Sequence, residues 1–162
     1  MKESLRLAGF FAAHAVGYVS FGEGFCPIIG SPAREGDQWV LSHIEHESNA
    51  AAVAEGRALL KSNPDAEDRM VLVFDGFVNL PSGRIDAVMV ECAQYRPTPG
   101  YFKVAVPYRN TQHPLGFAVH RPKFLAWEAV EQLEDIAQSF QDGIDEHTDG
   151  ARIWSDHLDQ SV

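Results

Sequence analysis

The amino-acid sequence predicts an α+β fold in which helices pack on an antiparallel sheet. Two β-rich runs, 70–78 and 84–94, flank Leu80-Pro81-Ser82-Gly83, which is a strong signal for a hairpin turn. Two further β-rich runs, 101–108 and 117–127, follow after short connections, so about four central strands should form a meander. Because the chain has 162 residues, we expect a single domain spanning 1–162.

The N-terminal region is mostly apolar and aromatic from residue 9 to residue 21, and Gly22-Glu23-Gly24 follows it. This pattern predicts a first strand and a turn, with further N-terminal strands at 25–29 and 38–45. The apolar stretch is short and interrupted by His14, which is unlike a signal peptide. No run approaches the ~18 apolar residues of a membrane span, so we expect a cytoplasmic protein that does not bind membranes.

Residues 49–62 predict a first main helix, which follows the third N-terminal strand. Ser48 is suited to be the N-cap because its hydroxyl can accept a free backbone N–H, and Val53, Leu59 and Leu60 fall on one stripe. Asn63-Pro64 ends the helix, since a residue before proline is pushed out of the α region.

Residues 129–146 predict a second main helix near the C-terminus. Its apolar residues recur at helical spacing and form one narrow stripe, which should dock on the sheet. The residues of this stripe are Leu133, Ile136, Ala137, Phe140 and Ile144. Asp149-Gly150 breaks the pattern, and the last few residues of the chain should fray.

The charge distribution is strongly uneven. The formal net charge is −10, but residues 128–162 carry −9 whereas residues 84–123 carry +4. Acids coat the outer face of the second predicted helix, which is either a solvated surface or a docking face for a basic protein partner. A surface of this kind can also complement itself in a homodimer. Nucleic acid is a disfavoured partner, because phosphate contacts need clustered Lys and Arg.

Motifs for metals, cofactors and nucleophilic catalysis are absent from the sequence. His43 and His46 lie three apart on a predicted strand, where they would point to opposite faces. No nucleotide-binding loop or nucleophile motif occurs, so we expect neither a cofactor nor a metal. Cys26 and Cys92 are isolated, which is typical of reduced thiols in a cytosolic protein.

Asp75 and Asp86 are the candidate catalytic residues. Pairing Asn79 with Arg84 across the turn makes the two carboxylates diagonal neighbours on one sheet face, roughly 7–8 Å apart at the backbone. Such a pair on an apolar face can act as an acid and a base or hold a divalent ion. Alternatively, both reach water near the turn and pair with nearby arginines, for which Arg84, Arg109 and Arg121 are the candidates.

Aromatic and arginine side chains near the predicted turns form a candidate binding surface, since these residue types are favoured at interfaces. The candidate binding residues are Tyr95, Arg96, Tyr101, Arg109 and Trp127. The alternative is that they form the rim of the core.

The sequence therefore leaves the biochemical function unknown. Because no functional motif is present, any assignment from the sequence is a hypothesis. Our leading hypothesis is a non-enzymatic binding or interaction protein, such as a small accessory, adaptor or immunity-like domain. The alternative is a hydrolase or small-molecule-binding enzyme that uses Asp75 and Asp86, with Glu91 or His120 nearby.

Overall fold

A computed structural model describes residues 1–34, 38–81, 83–129 and 135–161 of the chain. Its elements, in chain order, are α1 (Lys2–Ser20), β1 (Ile28–Pro32), β2 (Trp39–His43), α2 (Asn49–Ser62), β3 (Arg69–Leu80), β4 (Gly83–Gln94), β5 (Gly100–Arg109), β6 (Ala118–Val119), β7 (Lys123–Ala129), α3 (Ile136–Glu146) and α4 (Thr148–Asp156). The strands form a seven-stranded antiparallel sheet in the order β2-β1-β3-β4-β5. Beyond β5, residues 108–109 pair with β6 and residues 100–105 pair with β7. The predicted α+β fold class is confirmed.

The central hairpin has the predicted register. Asn79 pairs with Arg84, Phe77 with Asp86, and Asp75 with Val88. Alternation along β3 and β4 turns Val71, Val73, Val88 and Val90 to one face and residues such as Leu72, Phe74 and Met89 to the other, so both faces carry a core. The hairpin is thus the middle of a sheet that is buried on two sides.

The N-terminal region is a helix, and the prediction of a first strand there is wrong. Residues 4–19 bury apolar side chains at helical spacing, with Leu5, Ala8, Ala12 and Val16 all inaccessible to solvent. A 19-residue apolar segment rich in alanine exceeds the length of an ordinary strand, so length should have decided between the two structures.

Helix α2 has the predicted bounds and cap. The backbone N–H of Ala51 donates to the Ser48 hydroxyl at 3.2 Å. Gly56 lies against the sheet, where an added Cβ would come within 2.4 Å of Leu72 Cδ1. The absence of a side chain at Gly56 therefore lets α2 approach β3 closely.

The C-terminal part differs from the prediction in two ways. The predicted strand 117–127 is two strands, β6 and β7, and β7 continues to Ala129, where we expected the second helix to begin. Residues 130–134, which include Leu133 of the predicted stripe, lie outside the described residues. Within α3, Phe140 and Ile144 are buried as predicted, whereas Ala137 is exposed.

Residues that follow α4 add to the edge of the sheet. Val119 donates a backbone hydrogen bond to His157 O and accepts one from Asp159 N, at 2.9 and 2.8 Å. Arg109 Nη1 binds Asp159 Oδ2 at 2.9 Å. These contacts hold residues 157–159 beside β6.

The two faces of the sheet are covered unequally. Helices α1, α3 and α4 lie on one face, where α1 contacts β3 and β4, whereas α2 on the other face packs mainly on β3. That second face of β5 and β7 is therefore only half-buried, and side chains such as Lys103 and Ala126 reach solvent there. Within the described part of the chain, no helix combines the length and apolar character that a bilayer crossing requires.

Candidate functional site

A cavity of about 530 Å³ lies beside α2 on the half-covered face of the sheet, and we call it the α2-face cavity. Helix α2 forms one wall, strands β4 and β5 form the floor, and the connection between these strands closes one end. The lining residues are Arg57, Leu60, Lys61, Glu91, Ala93, Gln94, Tyr95, Pro99, Gly100, Tyr101 and Glu128. The cavity exists because a single helix cannot cover seven strands.

Glu91 is the buried charge of this cavity. It lies between Val90 and Cys92 on β4, and alternation turns these neighbours toward α1 while Glu91 faces α2. The residue is 3% exposed. A carboxylate this buried needs ionic partners, since its desolvation is otherwise costly.

Two cations supply those partners from different elements. Arg57 of α2 donates from Nε and Nη2 to Glu91 at 3.1 and 2.6 Å. Lys103, directly opposite Glu91 on β5, places Nζ 3.1 Å from Oε1. Burial would raise the pKa of Glu91, but the bonds from Arg57 and Lys103 outweigh it, so this pKa is lowered. Glu91 is therefore a satisfied carboxylate that stays ionised.

Two tyrosines contribute aromatic surface to the cavity. Burial, followed by the nearby Glu91, raises the pKa of Tyr101 to about 12. Burial also raises the pKa of Tyr95 to about 12, and its hydroxyl donates to the Leu60 carbonyl of α2. The bond from Tyr95 to Leu60 thus fixes one wall of the cavity to helix α2.

A second concave region lies where β4 and β5 separate, and we call it the fork. Pairing of these strands ends at Ala87 and Pro107, while β5 continues against β6. Asp86 on β4 and Tyr108 on β5 lie just beyond this last pair, one on each strand. A cavity of about 230 Å³ on the α1 side is lined by Asp75, Asp86, Tyr108 and Glu23, among others.

Asp75 and Asp86 both line this fork cavity, with different partners. Tyr108 Oη donates to Asp75 Oδ1 at 2.9 Å, and Asn110 Nδ2 donates to Asp86 Oδ2 at 3.3 Å. Burial and the charge of Asp86 raise the pKa of Asp75 against the opposing hydrogen bond from Tyr108. Two carboxylates thus share a small cavity and interact electrostatically.

The arginines that we considered as partners of this pair are engaged elsewhere. Arg84 stacks on the Phe77 ring at 3.6 Å, and Arg109 binds Asp159. Arg121 donates to Gln160. Among the described residues no cation forms an ion pair with Asp75 or Asp86, so the pairing with these arginines is not seen there, although both carboxylates are only partly buried.

His120 lies at the other side of the fork. It is 3% exposed, and its Nδ1 is 2.9 Å from the Asp159 carbonyl oxygen, which can only accept. Nδ1 therefore carries the proton and Nε2 is the basic nitrogen of the neutral ring. A cavity of about 370 Å³ is lined by His120 together with Asp86, Tyr108 and His113.

The predicted binding residues lie in different parts of the structure. Tyr95 and Tyr101 meet in the α2-face cavity, whereas Arg96 binds Asp68 at 2.7 Å beside a separate depression. Trp127 stacks on Phe102, 5.6 Å between ring centres, on the α1 side. Arg109 lies at the fork. These five residues do not form one cleft.

Arg57 and Lys103 were absent from the predicted binding residues. A sequence signal for them exists in Glu91, which interrupts the apolar run from Val88 to Cys92 and so requires a cation nearby. Identifying Arg57, 34 residues away, requires the placement of α2 over the sheet.

In the described parts of the chain, no group of three or more His, Cys, Asp and Glu side chains is arranged to hold a metal ion. Comparisons with protein-family models, with curated proteins and with solved structures each find no significant match to the chain. The geometry of the α2-face cavity and the fork is therefore the basis on which a function can be proposed.

Proposed function

We propose that this protein is a non-enzymatic domain that binds a small organic molecule in the α2-face cavity. The observation that carries the proposal is a 530 Å³ cavity with tyrosine walls and, at its floor, the buried Glu91, which is ion-paired to Arg57 and Lys103. Ligand sites typically measure about 300–1,000 Å³ and combine apolar walls with a few convergent polar groups.

Preorganisation supports this proposal. Glu91 and its two cations tie α2 to β4 and β5, and the bond from Tyr95 to Leu60 ties the β4–β5 connection to the same helix. Binding to a cavity already held in shape loses less conformational entropy than binding to a flexible surface. The cluster therefore has a role in keeping the cavity open.

A cavity-filling variant tests the proposal. Ala93 lines the cavity on β4, so Ala93→Phe should occupy it, whereas Ala54→Phe adds the same side chain to an exposed face of α2. We expect metabolite mixtures to raise the melting temperature of the native protein and of Ala54→Phe but not of Ala93→Phe. Equal responses of all three proteins would refute binding in this cavity.

A second candidate function is acid–base catalysis at the fork, which corresponds to our hydrolase alternative. The half-buried Asp75, with a raised pKa and no cation paired to it among the described residues, favours this candidate. Groups with shifted pKa values in a concave site are typical of catalytic acids and bases. Thermal-shift screening against metabolites and divalent ions, with Asp75→Asn and Asp86→Asn as comparisons, tests it. Unchanged responses in both variants would remove this candidate.

For macromolecular partners, we propose that the acidic outer surface of α3 and α4 binds a basic protein or a second copy of the chain. Asp135, Asp145, Asp149 and Asp156 are exposed there, with Arg152 as the nearby base. Sedimentation across a salt series, with pull-down of partners, tests this, and a monomer that retrieves nothing at any salt would contradict it. The unpaired Cys26 and Cys92 support a cytoplasmic setting.

A further inference from the structure

We propose that the α2-face cavity selects a small, flat aromatic molecule that carries a single carboxylate. This inference rests on the proposed binding function and concerns the chemistry of the ligand. Three features of the described residues support it: the unused donors of the cavity, its tyrosine walls, and the charge of the sheet face around it.

Some hydrogen-bond donors of the cavity are unused, whereas its buried acceptor, Glu91, is already bonded. Arg57 uses Nε and Nη2 on Glu91, and in the described residues Nη1 has no acceptor, while the Arg57 side chain is 50% exposed. Lys61 is exposed on the cavity rim and forms no ion pair with the described residues. Glu91 already receives bonds from two cations.

A cationic ligand would therefore compete with Arg57 and Lys103 for Glu91, and a neutral ligand would leave the free N–H groups without an anionic partner. A carboxylate matches these groups, because a guanidinium edge and an ammonium both form shorter, stronger hydrogen bonds with an anion. The donor inventory thus favours a single negative charge on the ligand.

The walls favour a flat aromatic body. Tyr95 and Tyr101 present rings to the cavity, and Leu60, Ala93 and Pro99 add apolar surface around them. Aromatic pairs gain about 0.5–1.5 kcal/mol beyond the burial of their area. The closed sides of the cavity, helix α2 and the sheet, are surfaces against which a planar group packs well.

The surrounding sheet face has the complementary charge. Lys103 and Lys123 lie on the same half-covered face as Arg57 and Lys61, and the exposed acids of α3 and α4 lie on the opposite layer. The sheet thus separates the basic central region from the acidic C-terminal helices. Glu128, directly opposite Tyr101, is the one exposed acid among the described residues that line the cavity, and there it is outnumbered by Arg57 and Lys61.

A charge series on one ring system tests the inference. The probes are 2-naphthoate, 2-naphthamide and 2-naphthamidine, which share a planar body and carry charges of minus one, zero and plus one. Ring signals of Tyr95 and Tyr101 in NMR spectra report binding in the cavity, and titration gives each Kd. We expect 2-naphthoate to bind at least about tenfold more tightly than the other two, and Lys61→Gln to weaken it several-fold. Lys2→Gln, at an exposed position of α1 on the other face of the sheet, is the matched control and should leave the Kd of 2-naphthoate unchanged.

The possible outcomes distinguish the carboxylate inference from the proposed binding function. Equal or tighter binding of the amide or amidine, with shifts of the tyrosine signals, would overturn the carboxylate inference while the proposed binding function stands. An unchanged Kd of 2-naphthoate in Lys61→Gln would also overturn it. Failure of all three probes to shift either tyrosine would count against both proposals.

Discussion

Tyr108 and Asp75 are joined by a 2.9 Å hydrogen bond between strands that are not neighbours, since β4 lies between β3 and β5. The contact is made at the fork, where the pairing of β4 with β5 has just ended. Burial raises the pKa of both groups, and Asp75 in addition raises that of Tyr108. The pair is therefore a half-buried polar contact at the point where the core meets the fork cavity.

Asp75→Asn is the first prediction. Because the folded-state pKa of Asp75 is raised, the folded state binds its proton more readily than the unfolded state does. The contribution of this residue to stability thus falls as pH rises through the window from the ordinary aspartate value up to the raised one. Asn keeps an acceptor for Tyr108 without the charge, so we expect Asp75→Asn to unfold at higher denaturant concentration at pH 7.

The control for this prediction is the same measurement below the ordinary aspartate pKa, about 3.9, where the wild-type carboxyl is protonated in both states. The advantage of the variant should shrink there. A loss of stability at pH 7 would show that the ionised Asp75 is favourably solvated.

Glu91→Gln is the second prediction, and it should destabilise the protein. The change leaves Arg57 and Lys103 without their shared counterion, and we expect the free energy of unfolding to fall by about 1–3 kcal/mol. Glu128→Gln is the matched control, because Glu128 is exposed at the same cavity, and its effect should lie within about 0.5 kcal/mol. Chemical denaturation measures both, and equal effects would contradict the structural role of the cluster.

The third prediction concerns His14 and His147, whose Nδ1 and Nε2 atoms lie 3.0 Å apart. The Gly150 N–H donates to His147 Nδ1, so His147 carries its proton on Nε2 and donates it to His14. Burial, then the charges of His147 and His43, lowers the pKa of His14. The unfolded state therefore takes up this proton first, and stability should decline as pH falls below about 6.5.

His14→Asn removes the titrating group but retains an acceptor for His147, so the decline of stability between pH 7 and pH 5 should be smaller in this variant. His46→Asn, at an exposed histidine, is the control and should decline as the wild type does. Thermal melts across this pH range supply the measurement. Identical pH profiles for His14→Asn and the wild type would exclude His14 as the source.

The fourth prediction compares two glycines of the helical layer. An added Cβ at Gly143 of α3 would lie 2.0 Å from the Arg6 carbonyl oxygen, whereas one at Gly17 of α1 would meet nothing within 4 Å. Gly143→Ala should therefore destabilise the protein by about 1–3 kcal/mol. Gly17→Ala should stabilise it by about 0.5–1 kcal/mol, since glycine is unfavourable within a helix. Melting temperatures that move in the same direction would contradict this packing.

The parts of the fold that follow from local pattern were predictable. The register of the central hairpin follows from its turn and its alternation, and α2 follows from Ser48 and Asn63. The N-terminal helix was mistaken for a strand because its apolar run has few polar residues, such as His14, to reveal the helical period. Because most of α1 is buried by other elements, its periodicity is weak. The length of the segment was the feature that could distinguish a helix from a strand.

The candidate sites were predictable only in part, for a physical reason. Asp75 and Asp86 belong to one hairpin, so their proximity follows from sequence spacing. The cluster at Glu91 joins α2, β4 and β5, and the contact between Tyr108 and Asp75 spans two pairings of the sheet. Such contacts depend on how elements pack, which local patterns of residues do not encode.

Helix α1 packs mainly against α3 and also against α4, elements encoded more than a hundred residues later. During synthesis the ribosome therefore exposes this apolar helix long before its partners are made. Packing of that helical layer depends on contacts between residues that are far apart in sequence, and a topology dominated by such contacts folds slowly. Until residues 136–156 are available to cover it, the apolar surface of α1 is therefore open to aggregation.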